Sequence, residues 1–121
     1  MIKAFEEVER ENFILKKYKD EVYGDYPLPI YEGQTISQPT TVMIMTEALE
    51  VREDDRVLEV GTGSGYQAAI LSKLIGKNGF VYTTEIIPEL VKFANENLKH
   101  AGIKNVKVVK TDGGCGYEEK A

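Results

Sequence analysis

The chain is expected to fold as an α/β unit: about three parallel strands with helices between them. Three observations predict this. A short apolar strand, Arg56 to Val60, runs into Gly61-Thr62-Gly63-Ser64-Gly65 and then a helical pattern. A second strand-like run, Phe80 to Glu85, is followed by a stretch in which Leu90, Ala94 and Leu98 recur every four residues. A third run, Asn105 to Lys110, precedes Thr111-Asp112-Gly113-Gly114. Strand, helix, strand, helix, strand in that order calls for parallel pairing with right-handed crossovers.

The remaining elements are set by local chemistry. Apolar positions at Ile2, Phe5 and Val8 suggest a weak amphipathic helix over about 2–12. From Asp20 to Ile36, Gly24, Pro27, Pro29 and Gly33 punctuate a segment containing Tyr23, Tyr26 and Tyr31, which reads as an ordered loop. The three tyrosines either pack that loop or line a cleft. Ser37 is placed to cap a helix from about Pro39 to Leu49, with Val42, Met45 and Leu49 on one face. A helix from about Tyr66 to Ile75 should turn Ala69, Ile70 and Leu74 inward and close at Gly76-Lys77-Asn78-Gly79. Pro88 suits the first turn of the next helix, where its missing N–H costs nothing. Ala101-Gly102 ends that helix, and His100 in its last turn favours the helix dipole.

Composition narrows the function. The 121 residues are 42% hydrophobic and 29% charged, with a formal net charge of −5 and no basic cluster. Nucleic acid is therefore not the expected partner. No apolar run approaches the roughly 20 residues a membrane helix needs, and the N-terminus is too polar for a signal peptide. The single cysteine, Cys115, has no internal disulfide partner, and a cytoplasmic location is the default. No metal site is expected.

The glycine turn is the most informative feature. Glycine allows a tight turn and lets a ligand approach the backbone without a Cβ in the way. A turn of this kind at the carboxyl end of a parallel strand holds nucleoside-containing cofactors. Here the glycines follow GxGxG, with Glu59 two residues ahead, rather than the GxGxxG of dinucleotide sites. Glu85 ends the second strand 20 residues beyond Gly65, where an acid can accept hydrogen bonds from ribose hydroxyls. Asp112 ends the third strand on the same rim, placed to meet an adenine amino group. Three carboxylates around one crevice would repel a pyrophosphate but suit a cation. S-adenosyl-L-methionine carries a sulfonium and an ammonium and no phosphate, so charge favours it over NAD. Each residue also has a plainer reading: packing for the glycines, a solvated strand end for Glu85, and turn chemistry for Asp112.

Gly33-Gln34-Thr35-Ile36-Ser37-Gln38-Pro39, together with Met43 and Met45-Thr46-Glu47, lies upstream of Val57-Leu58-Glu59-Val60-Gly61-Thr62-Gly63-Ser64-Gly65-Tyr66-Gln67-Ala68-Ala69. The chain resembles the protein-L-isoaspartate O-methyltransferases through these segments, and through Glu85-Ile86-Ile87-Pro88-Glu89-Leu90 and Asp112-Gly113. The resemblance runs from about Ile2 to Tyr117. It implies a Rossmann-like class I methyltransferase fold, incomplete here, with residues 1–50 a helical and loop region bearing the substrate segment. Residues 51–121 would form the first half of the S-adenosylmethionine-binding domain. It further implies protein repair: methylation of the α-carboxylate of L-isoaspartyl residues in damaged proteins or peptides. Ser37 falls on the family's active-site serine. Gln34, Thr35 and Ile36 fall in the same cofactor and substrate segment, and Gly61, Glu85, Asp112 and Gly113 fall on cofactor contacts. Glu59, Gly63 and Gly65 complete the expected cofactor set.

The chain stops just after the third strand, so a fourth strand and the later elements of the resembled fold are expected to be missing. In that fold the first strand is interior, whereas here its far edge is expected to be bare and to promote self-association. Activity of so short a chain is an open expectation. The rivals are a non-catalytic S-adenosylmethionine-binding fragment, a nicotinamide dinucleotide-binding domain, and another carboxyl or small-molecule methyltransferase.

Overall fold

A computed structural model describes residues 2–111. Helix α1 (Ile2–Glu7) opens the chain, followed by 3-10 turns over Arg10–Phe13 and Lys16–Glu21. Two-residue strands β1 (Leu28–Pro29) and β2 (Thr35–Ile36) pair antiparallel around a third 3-10 turn, Tyr31–Gly33. Helix α2 (Pro39–Leu49) leads to β3 (Arg56–Val60), α3 (Tyr66–Ile75), β4 (Phe80–Glu85), α4 (Pro88–His100) and β5 (Val106–Lys110). The strands β3, β4 and β5 form one parallel sheet in the order β3-β4-β5. The expected α/β fold is therefore present.

Register explains the layering. Val57, Val81 and Val106 lie abreast across the three strands. They pack on Ala68, Leu71 and Ile75 of α3. On the same side, Val106 and Val108 meet the cluster containing Leu90, Phe93 and Leu98 of α4. Burial of such aliphatic side chains stabilises by about 1.5–3 kcal/mol each. Helix α3 is enclosed almost all round; Ala68, Leu71 and Ile75 are buried as well as Ala69 and Ile70, while Leu74 is only half-buried. The expected single inward stripe was too narrow because α3 packs on its neighbours as well as the sheet.

Among the described residues the opposite face of β3 is open. Leu58 is 44% and Val60 61% exposed, and among the described residues no strand pairs with the outer edge of β3. Beside it, α2 buries Val42 and Thr46 but leaves Met45 and Leu49 about half exposed. The expected apolar face of α2 is thus only partly covered.

Two local expectations need correction, and the alternative left open for the tyrosines falls on the packing side. The N-terminal helix stops at Glu7, and a 3-10 turn begins at Arg10, because Arg10 is drawn fully inside rather than left on a helix surface. The N-cap of α2 is Gln38, with Pro39 in the first turn, so Ser37 does not cap that helix. Tyr23 and Tyr26 hydrogen-bond Glu11 and Glu21 on the surface, and Tyr31 packs edge-on against Phe93 at 5.0 Å. None of the three lines the crevice at the glycine turn.

Candidate functional site

The site forms where β3 and β4 end. The chain leaves β3 through Gly61 (φ +88°), Gly63 (φ +56°) and Gly65 (φ +91°), backbone conformations that favour glycine. The Gly61 and Thr62 amides donate to the Thr84 carbonyl at 2.8 and 3.1 Å, which folds the turn back over the tip of β4. A Cβ built on Gly61 would meet nothing within 4 Å, and one on Gly63 only Ile30 at 3.9 Å. The inner surface of the turn is therefore open to a ligand. Gly65 has a different environment: its Cβ would sit 3.4 Å from Ala94 and from Leu98. That glycine lets α3 and α4 approach closely and lies outside the crevice.

Two adjoining cavities share Thr35, Val60, Gly61 and Gly63. The smaller, about 420 Å³, lies on the strand-end rim and is also lined by Gln34, Glu85, Ile86 and Ile87. The larger, about 530 Å³, is also lined by Ile36, Ser37 and Glu59 and continues along the bare side of β3 to Met45 and Leu49. The polar chemistry belongs to the rim, where the carboxylates and the glycine turn meet. Gln34, Thr35, Ile36, Ser37, Glu59, Gly61, Gly63 and Glu85 are thus gathered around one double crevice. Asp112 and Gly113, and with them Cys115, lie outside the described residues.

Glu85 is buried at the tip of β4 and binds three main-chain amides. Its Oε1 accepts from Gly63 N at 3.0 Å, and its Oε2 from Ile86 N and Ile87 N at 3.1 and 3.2 Å. The side chain thereby ties the glycine turn to the start of α4. Carboxylate oxygens accept more than one hydrogen bond, so Oε1 keeps capacity for a further donor.

Glu59 points to the helix-covered side of the sheet, where Thr83 Oγ1 donates to its Oε1 at 2.6 Å and sits 2.7 Å from Thr62 Oγ1. Burial pushes the Glu59 carboxyl up to about 7; the Thr83 hydrogen bond opposes this and the nearby Glu85 charge adds to it. Near neutral pH the rim is therefore less negative than a count of its acids suggests.

The amides of the turn carry a second message. Gly61, Thr62, Gly63 and Gly65 all donate within the protein, to Thr84 O, Glu85 and Thr62 O. These donors are not available to cradle a phosphate, in contrast to a phosphate-binding glycine loop. The open Cβ positions and the Glu85 carboxylate at the rim fit a phosphate-free nucleoside.

Sequence reasoning missed Arg10, which is fully buried and donates from Nη2 to the Ser37 carbonyl at 2.9 Å. A lone arginine in a weakly periodic N-terminal stretch gives little signal of this. It also missed the Thr62–Thr83 pair and the exposed Ile86. Threonine at a strand end reads as β-propensity, and Ile86 stands in the sequence only as part of the Glu85–Leu90 segment.

A parallel sheet with both crossover helices on one face and a glycine-lined crevice at its carboxyl rim is a Rossmann-like arrangement, and a turn whose amides are already satisfied fits its methyltransferase class. A family model described as Protein-L-isoaspartate(D-aspartate) O-methyltransferase (PCMT) matches residues 1–121, and the chain belongs to this family. Protein-L-isoaspartate O-methyltransferase 2 of Archaeoglobus fulgidus is 51% identical over 118 residues, covering 98% of this chain and 54% of the relative. A solved protein-L-isoaspartate O-methyltransferase superposes with a TM-score of 0.88 at 37% identity, over 97% of this chain and 38% of that one. A putative protein-L-isoaspartate O-methyltransferase from Plasmodium falciparum, solved with S-adenosyl-L-homocysteine, gives 0.83 at 28% identity, over 98% and 57%. The chain spans about half the length of the curated relatives it matches.

Proposed function

We propose that this chain carries the cofactor half of an S-adenosylmethionine-dependent methyltransferase acting on the α-carboxylate of L-isoaspartyl residues in damaged proteins. The observation that carries the reading is the convergence of the Gln34–Ser37 segment with Gly61, Gly63 and Glu85 around one crevice. Family membership supports it, as does the solved relative that holds S-adenosyl-L-homocysteine.

The cofactor would lie over Gly61 and Gly63, with its ribose hydroxyls donating to Glu85 and its adenine against the exposed Ile86 side chain. When bound it supplies an activated methyl group. The chain's own work is then alignment and exclusion of water. An acceptor carboxylate is already ionised at neutral pH and needs no general base. Ser37 holds it by a hydrogen bond rather than acting as a nucleophile. In-line displacement requires the reacting atoms about 3 Å apart, and orientation of that kind supplies roughly 7–11 kcal/mol of the barrier. Residues 1–50 carry the acceptor side and residues from 51 onward the donor side.

The test is methyl transfer to two peptides that differ only in one L-isoaspartyl or L-aspartyl residue. The proposal expects base-labile methyl ester on the first alone. Equal labelling of both would contradict the substrate assignment. Binding of S-adenosylhomocysteine with no transfer to either would favour a cofactor-binding module.

A further inference from the structure

Arg10 is among the largest fully buried side chains of the described structure, yet no carboxylate pairs with it there. Its partners are neutral and come from three separate segments. Nε donates to the Val22 carbonyl at 2.6 Å, and Nη2 donates to the Ser37 carbonyl at 2.9 Å. The guanidinium carbon lies 5.1 Å from the ring centroid of Tyr66, the first residue of α3 after the glycine turn. Phe13 packs against the same ring, tilted, with centroids 5.6 Å apart. Nη1 is buried with no hydrogen-bond partner among the described residues.

Burying a cation without a counter-charge is unfavourable, and an apolar side chain of similar volume would commonly serve the core as well. Stability alone therefore does not explain an arginine here. Its geometry does more. Only a planar fork with several fixed donors reaches two carbonyls while lying over an aromatic face; a lysine ammonium is a point charge on a flexible stem. The Nη2 hydrogen bond and the ring contact together link the main chain of Ser37 to Tyr66 in the first turn of α3, which continues from the glycine turn.

We infer that Arg10 is a positioning residue, one that fixes the Ser37 main chain against the start of α3 and so sets the distance between acceptor and methyl donor. The inference rests on the reading of Ser37 as the acceptor-side residue. Misplacement by about 1 Å costs on the order of a hundredfold in rate where reacting groups must be aligned.

The experiment compares wild type with Arg10→Lys and with Arg10→Met, which keeps an unbranched side chain and tests the fold without the charge. Amide hydrogen exchange is followed over residues 34–38 and over the sheet, and S-adenosylhomocysteine affinity is measured by calorimetry. In at least one folded variant, exchange over residues 34–38 should accelerate tenfold or more, with sheet exchange and cofactor affinity within about threefold of wild type. Where wild type turns over an isoaspartyl peptide, kcat should fall about a hundredfold with KM within threefold. Unchanged exchange over residues 34–38, or acceleration spread evenly over the sheet, would overturn the inference. Two variants that both fail to fold would assign Arg10 to stability and overturn it equally. Wild type that does not bind S-adenosylhomocysteine would sink the methyltransferase reading, while the exchange comparison would still decide whether Arg10 holds this segment.

Discussion

Gly61 and Gly65 share a left-handed backbone but have different surroundings, so alanine at each should cost similar stability and very different ligand affinity. A left-handed φ costs a residue with a Cβ about 1–2 kcal/mol, and both variants bear this. At Gly61 the new methyl meets nothing within 4 Å in the protein. At Gly65 it meets Ala94 and Leu98 at 3.4 Å, an ordinary van der Waals contact. Stability should therefore fall by a similar amount in both variants, about 1–2 kcal/mol. Ligand binding should separate them. Gly61 lines both halves of the crevice and Gly65 neither, so Gly61→Ala should weaken S-adenosylhomocysteine at least tenfold and Gly65→Ala less than threefold. Urea unfolding and calorimetry, the latter under conditions where both variants are folded, measure the two effects separately. If Gly65→Ala were the variant that loses ligand while Gly61→Ala bound normally, the assignment of the crevice would be refuted.

The same geometry sets other outcomes. Because burial raises Glu59 to about 7, the native state keeps a proton that the unfolded chain releases near the ordinary 4.5. Its influence on stability is therefore most favourable below about pH 4.5 and is lost as pH rises to about 7, by roughly 3 kcal/mol. Urea unfolding at pH 5 and pH 8 should show a smaller difference in Glu59→Gln than in wild type; identical differences would contradict the assignment. Ser37→Ala should lower methyl transfer far more than it lowers cofactor affinity, and equal losses would give the hydroxyl a structural role. The bare edge of β3, with Leu58 and Val60 exposed beside Met45 and Leu49, should drive association of this chain. Light scattering across a micromolar dilution series should show the mass rising with concentration, and a constant monomer mass would count against it.

The parallel core was legible because its signals were redundant. The bounds of α2, α3 and β4 coincide with the expected ones. Glycine punctuation, apolar periodicity and Pro88 in the first turn of α4 all agreed there. The N-terminal third was harder, since 3-10 turns and two-residue strands leave no periodicity to read. Arg10 was invisible for a related reason: its three contacts span 12, 27 and 56 positions of chain, and no local pattern announces them. Sequence reasoning brought most of the crevice residues together, though Gly65 lies outside the crevice, and it did not show their electrostatics. The sequence places Glu59 and Glu85 near the glycines, but it cannot reveal that one lies under the sheet against Thr83 or that the other binds three amides. Met45 and Leu49 were misread because amphipathicity reports which face is apolar, not whether anything covers it.

The central claim is that the rim built from Gly61, Gly63 and Glu85 receives a phosphate-free nucleoside. An NMR titration of the amides of Gly63, Ile86 and Ile87, which all donate to Glu85, tests it most directly. Saturating shifts of these three signals with S-adenosylmethionine and S-adenosylhomocysteine, and none with NAD, are the predicted result. Shifts with NAD in their place, or S-adenosylmethionine binding that leaves these amides unmoved, would contradict the account.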